Sequence, residues 1–97
     1  MTQFDAELKL VIKSLDDETR REMMAFFVSE TLAPSEIADT LKADYSRLHY
    51  HATVLNEIGA IEEISVIPRP NGSLKHVYAA TELGHLAYAK LTGDGTE

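Results

Sequence analysis

The 97 residues include no cysteine and no tryptophan. The absence of thiols excludes disulfides and thiolate metal sites, and it suits a cytoplasmic protein. No apolar run approaches the roughly 20 residues that cross a bilayer, so no membrane partner is expected. The opening MTQFDAELK lacks the basic-then-apolar order of a signal peptide. Internal repeats and low-complexity tracts are missing too. Basic residues are scarce: nine Lys and Arg stand against sixteen Asp and Glu, for a net charge of -7. Taken whole, that balance argues against a phosphate-rich partner, because such binding is driven by Lys and Arg.

The distribution of charge says more than its sum. Residues 1–41 carry nine acids and four bases, residues 42–81 carry four of each, and residues 82–97 add a further -2. The middle of the chain is therefore neutral. A length of 97 residues with 44% hydrophobic content is enough for one modest core. One domain is expected over residues 1–92, followed by a disordered tail at 93–97.

Apolar periodicity predicts the elements. Leu8, Val11, Ile12 and Leu15 recur at helical spacing, giving a first helix over 4–15. Asp16 or Asp17 is placed to cap a second helix, TRREMMAFFVSE, whose Met23, Met24, Phe26, Phe27 and Val28 form a wide apolar face. Pro34 suits the first position of a third helix, with Glu36 in its first turn and Ile37, Ala38 and Leu41 facing inward. Ala43 and Asp44 break it, and Asp44 is a candidate N-cap for a fourth helix over about 45–58. Two short helices joined by a turn of about three residues form a helix-turn-helix layout.

The fourth helix, from SRLHYHATVLNEIGAI, is unusual on its outer side. Leu48, Ala52, Leu55 and Ile58 share one face, with His51 and Val54 at its edge. The opposite face holds Ser46, His49, Tyr50, Thr53 and Glu57, flanked by Tyr45 and Asn56. Ser, His, Tyr and Thr form helix less readily than Glu, Lys or Gln. They are hydrogen-bonding groups suited to base edges and phosphates. Gly59 ends the helix. Ile64 and Val66 then alternate with Glu63 and Ser65, which predicts a half-buried strand. PRPNGS is a turn with a strong Asn71-Gly72 hairpin signal, and Leu74–Ala80 returns as the second strand. From Thr81 a last helix, TELGHLAYAKL, aligns Leu83, Leu86 and Ala87 along one side, with Leu91 or Lys90 continuing it. The fold class is mainly α with a β-hairpin (α+β), in the order α-α-α-α-β-β-α: a winged helix-turn-helix.

At this point the sequence resembles the ArsR-like winged-helix transcription regulators of bacteria and archaea. The matching words are LDDETRREMMAFF, PSEIADTL, SRLHYHATVLNEIGAIEE and KHVYAATELG, with His51-x-x-Val54-Leu55-x-Glu57-x-Gly59 the most specific. The match spans about residues 5–91. The resemblance implies a homodimer through the first and last helices, and double-stranded DNA as partner. The recognition helix, about 45–58, would lie in the major groove, and the wing, 62–80, on backbone or minor groove. By position it places Tyr45, Ser46, Arg47, His49 and Tyr50 at the base-reading end, Thr53 near phosphate, and Arg69, Lys75 and His76 on the wing. His51 matches the family's histidine, but its angle makes it structural. Cysteine-based sensing is excluded, and Glu82 with His85 supplies only two ligands, so no metal or other cofactor is expected. The sequence carries no catalytic Ser-His-Asp spacing, phosphate loop or HExxH, so no enzyme is expected. The implied function is a sequence-specific DNA-binding regulator, a repressor. The alternative is an acidic winged-helix module that binds proteins and not DNA directly.

Overall fold

The structure is a computed structural model that describes residues 4–93. Five helices and one hairpin follow in the order α1 (Phe4–Ser14), α2 (Glu18–Ser29), α3 (Pro34–Leu41), α4 (Tyr45–Glu57), β1 (Ile61–Pro68), β2 (Leu74–Ala80) and α5 (Glu82–Thr92). This is the winged helix-turn-helix that the element order predicts. One cluster joins every element, with Val11, Leu15, Met23, Met24, Phe27, Ile37, Leu48, Leu55 and Ile61 at its centre, each no more than 2% exposed.

Local chemistry sets the helix ends. Asp17 caps α2, its carboxylate accepting from the Arg20 amide at 3.1 Å. Asp44 caps α4 in the same way through the Arg47 amide. Thr81 caps α5 by accepting from the Gly84 amide, and its hydroxyl donates to the Gly59 carbonyl. Gly59, at φ 85°, follows the Ile58 C-cap of α4. Its amide donates to the Asn56 carbonyl and that of Ala60 donates to Leu55. This is the two-bond left-handed stop that glycine allows without a steric cost. Arg20 and Arg21 donate to the carbonyls of Ser14, Leu15 and Asp16 at the C-terminal end of α1, where positive charge is favoured.

Five expectations need correction. First, β1 is not half-buried: only Ile61 is covered, while Ile64 and Val66 are 52% and 39% exposed. The register slips between Glu63 and Ser65, so Ile64 is an extra residue that interrupts the alternation. Beyond Ile61 the strand is exposed throughout, with no covering layer on it. Second, Leu86 is 40% exposed and only Leu83 and Ala87 of its row are buried. Third, α1 stops at Ser14, and the fully buried Leu15 lies in the turn that follows. Fourth, α3 is ended by Lys42 at φ 54° rather than by Ala43 and Asp44. Fifth, Thr92 is still helical and Gly93, at φ 73°, caps α5. The rest of the expected tail, 94–97, lies outside the described residues, as do residues 1–3.

The hairpin closes through residues 69–73, within the PRPNGS turn that the sequence predicts. Asn71 Oδ1 accepts from the Ser73 amide and hydroxyl, and the Arg69 amide donates to the Ser73 carbonyl. Beside it, Leu32 and Tyr78 exchange two backbone hydrogen bonds, at 2.9 and 2.7 Å. The wing is thereby tied to the segment that leads into α3.

Candidate nucleic-acid interface

Helix α4 divides as the helical wheel requires. Leu48, Ala52 and Leu55 are buried, and Tyr45, Ser46, His49, Tyr50 and Thr53 are exposed. Tyr45 and His49, one turn apart, stack with ring centres 5.7 Å apart at 30°. The Thr53 hydroxyl donates back to the His49 carbonyl at 3.0 Å. Tyr50 is 59% exposed, the most open of the large hydrophobic side chains among the described residues. From Tyr45 to Asn56 the helix contains no acid. The surface is planar and hydroxyl-rich, and it can both donate and accept hydrogen bonds.

The cations of the expected site do not join this face as a free strip. Arg47 is exposed, but its Nη2 donates to Thr19 Oγ1 of α2 at 3.2 Å. It helps to line a cavity of about 330 Å³ with Glu18, Glu22, Leu41 and Ala43. Arg69 folds back so that Nη2 donates to Ser35 Oγ at 3.1 Å. Lys75 Nζ pairs with Glu36 Oε2 at 3.1 Å, and His76 Nδ1 meets Glu63 Oε1 at 2.9 Å. The fold thus gathers Tyr45, Ser46, His49, Tyr50 and Thr53 on one surface. It ties Arg69 and Lys75 to the start of α3 and pairs His76 within the wing.

Three residues that organise the site escaped sequence reasoning. Glu36 was placed in the first turn of α3, but its second role, pairing Lys75 across 39 positions, leaves no local signature. Thr19 and Ser35, which hold Arg47 and Arg69, are equally silent in sequence. Glu36 is held below the ordinary carboxylate range, first by the Ala33 amide, with burial opposing and Lys75 assisting. His51, buried as expected, accepts from Arg20 Nε at 3.1 Å. Burial lowers its proton affinity first, Asp17 opposes that, and Arg20 and Arg47 add to it. Glu82 and His85 are both exposed, and among the described residues no group of three metal-ligating side chains forms. Among the same residues no helix is long and apolar enough to cross a membrane.

No protein-family model matches the sequence, and no curated protein matches it. Among solved structures, HlyU from Vibrio cholerae N16961 has a TM-score of 0.71 at 15% identity, covering 100% of each chain. The reduced form of HlyU from the same source has a TM-score of 0.64 at 18% identity, covering 84% of this chain and 82% of that one. At such identities the likeness is one of fold: five helices and an antiparallel hairpin in the same winged-helix arrangement.

Proposed function

We propose that the chain is a dimeric, sequence-specific DNA-binding transcription regulator of the ArsR-like kind, acting as a repressor. The observation that carries this reading is the outer face of α4. It exposes Tyr45, Ser46, His49, Tyr50 and Thr53 without an acid among them, in a chain of net charge -7. In this reading Tyr45, Ser46, His49 and Tyr50 stand at the base-reading end of the second helix of a helix-turn-helix, and Thr53 stands further along, near phosphate. Dimerisation through α1 and α5 draws support from Leu10 and Leu86, 51% and 40% exposed on two helices that pack on each other.

Arg69 and Lys75 already have partners, so phosphate contacts are few. Two to four per protomer, at about 0.9 each, give a shallow salt dependence. The test is selection from random duplex DNA at low salt, followed by sequencing. A two-fold motif with half-sites about one helical turn apart is the expected product. Tyr50→Ala and His49→Ala should each lose retention of that motif. Arg47→Ala should weaken it by about 1–3 kcal/mol if the guanidinium leaves Thr19 to read a guanine.

One observation favours a second reading, a protein-docking module. Ile64, Val66, Ile67 and Leu74 are all exposed on the wing, between 39% and 52%. No retention of duplex DNA at about 20 mM salt, where phosphate attraction is least screened, would select that reading.

A further inference from the structure

Arg20 joins three elements. Its Nε–H donates to His51 Nδ1 on α4 at 3.1 Å, and its Nη1 donates to the Ser14 carbonyl and hydroxyl at 3.1 and 2.7 Å. His51 is the one polar side chain that the core buries among the described residues, at 7% exposure. A ring nitrogen that accepts from a guanidinium has no proton of its own. The neutral ring of His51 therefore carries its hydrogen on Nε2. Once Nδ1 takes up a proton, the lone pair is gone and two cations face each other.

The charged groups acting on His51 are Asp17 and Arg20 of α2 and Arg47 of its own helix. Helices α3 and β-strand β1, which also pack on α4, add none among the described residues. Asp17 is committed to capping α2, so it offsets the two arginines only in part. The Tyr50 ring stands edge-on to His51 at 5.3 Å and is itself on the exposed face. A change at His51 is therefore one residue away from the surface that α4 presents.

We propose that Arg20 and His51 are a positioning pair that seats the recognition helix against the α1–α2 corner, and that proton uptake by His51 releases α4 from that seat. The proposal rests on the reading of α4 as the element that meets DNA. Neither residue touches the partner. They act by fixing the tilt of the helix and the place of Tyr50. Positive charge gained in acid would by itself strengthen phosphate binding. A loss of binding in mild acid is thus opposite in sign to simple charge gain.

The experiment is an NMR titration of the histidine ring nitrogens and backbone amides from pH 8 to pH 5, on the full chain without DNA. It is repeated on His51→Asn, whose Oδ1 occupies the place of Nδ1 and accepts without titrating. The expected result is a bare Nδ1 at pH 8 and amide shifts along α4 that follow the His51 transition. In His51→Asn the pH 8 positions persist and the transition disappears. Affinity for the selected duplex should fall about fivefold to tenfold from pH 7.5 to pH 5.5 in the parent and should not fall in His51→Asn.

A hydrogen on Nδ1 at pH 8, or α4 shifts that survive in His51→Asn, would overturn the pair. If the Asn variant does not fold, the parent's ring tautomer and its α4 transition decide alone. A clear α4 transition in a protein that retains no DNA supports the pair and removes the DNA reading instead.

Discussion

Lys75 Nζ lies 3.1 Å from Glu36 Oε2, while Glu36 Oε1 accepts the Ala33 amide at 2.8 Å. One carboxylate thus closes the N-terminal end of α3 and pins the returning strand of the wing to it. Ala33, at the N-cap, has no side-chain oxygen, and only its backbone carbonyl accepts from the Glu36 and Ile37 amides. The Glu36 bond is therefore the side-chain half of a capping box with the other half missing.

This double role makes the two partners unequal. Glu36→Ala removes a cap, worth about 1 kcal/mol, together with a part-exposed pair worth about 0–1 kcal/mol. Lys75→Ala removes only the pair. Urea unfolding should show a loss of about 1–2 kcal/mol for the first and under about 1 kcal/mol for the second. Equal losses would mean that the capping bond contributes nothing.

Gly84 sits inside α5, where replacing glycine by alanine ordinarily stabilises a helix by about 1 kcal/mol. Here the added Cβ would fall 2.0 Å from the Ala60 carbonyl oxygen, a backbone atom. Gly84→Ala should instead destabilise by about 1–3 kcal/mol or more, as the approach of α5 to the backbone just ahead of β1 is forced open. Thermal unfolding gives the sign directly.

Lys42 holds a left-handed conformation at φ 54°, ending α3 without a glycine. That conformation costs a side-chain-bearing residue about 1–2 kcal/mol, while glycine loses about 0.5–1 kcal/mol more entropy on folding. Lys42→Gly should therefore raise stability by about 0.5 kcal/mol, readable in the denaturation midpoint. A clear loss would show that the lysine side chain contributes something beyond its backbone.

Stability should fall with acid in two stages. Burial, opposed by Asp17 and assisted by Arg20 and Arg47, sets His51 below its ordinary 6.5. Folding then favours the neutral ring, so this contribution is complete above about pH 6.5 and is lost as pH falls through the folded value. Asp17 and Glu36 lie below their ordinary 3.8 and 4.5. For Asp17, burial opposes the shift, and the Arg20 amide together with the charges of His51 and Arg20 outweighs it. Their stabilisation is present above those values and disappears at lower pH. Urea midpoints measured from pH 8 to pH 3 should show both limbs, and His51→Asn should lose the upper one and keep the lower one in weakened form, because the His51 charge also helps to lower Asp17.

Two isoleucines three positions apart should behave as different residues. Ile61 is 1% exposed and Ile64 is 52% exposed. Truncating Ile61 to alanine should cost about 2–5 kcal/mol, and truncating Ile64 about 0.5 kcal/mol or less. Similar losses for both would place the wing against a surface of a second chain.

The sequence was most legible where the physics is local. Asp17, Asp44 and Thr81 cap helices through amides three residues on, and Pro34 opens α3 from its own ring geometry. Gly59 stops α4 by its own backbone freedom. Core helix faces follow from a fixed angle per residue, so Leu48, Ala52 and Leu55 could be placed inside and Ser46, His49 and Tyr50 outside. Alternation failed in β1 because the strand leaves the core after Ile61 and both of its faces are exposed, and residue spacing does not show where that cover ends.

The chain by itself therefore determined the order of the elements, the caps that start α2 and α4, and the composition of the face that α4 exposes. The tertiary structure alone decided which cations stand free. Arg47 meets Thr19 across 28 positions, Arg69 meets Ser35 across 34, and Lys75 meets Glu36 across 39. It also decided that His51 answers to Arg20, 31 positions away, and that Gly84 must remain without a side chain beneath the Ala60 carbonyl. Such pairings depend on how separate elements come to rest against one another, and residue spacing along the chain carries no record of that distance.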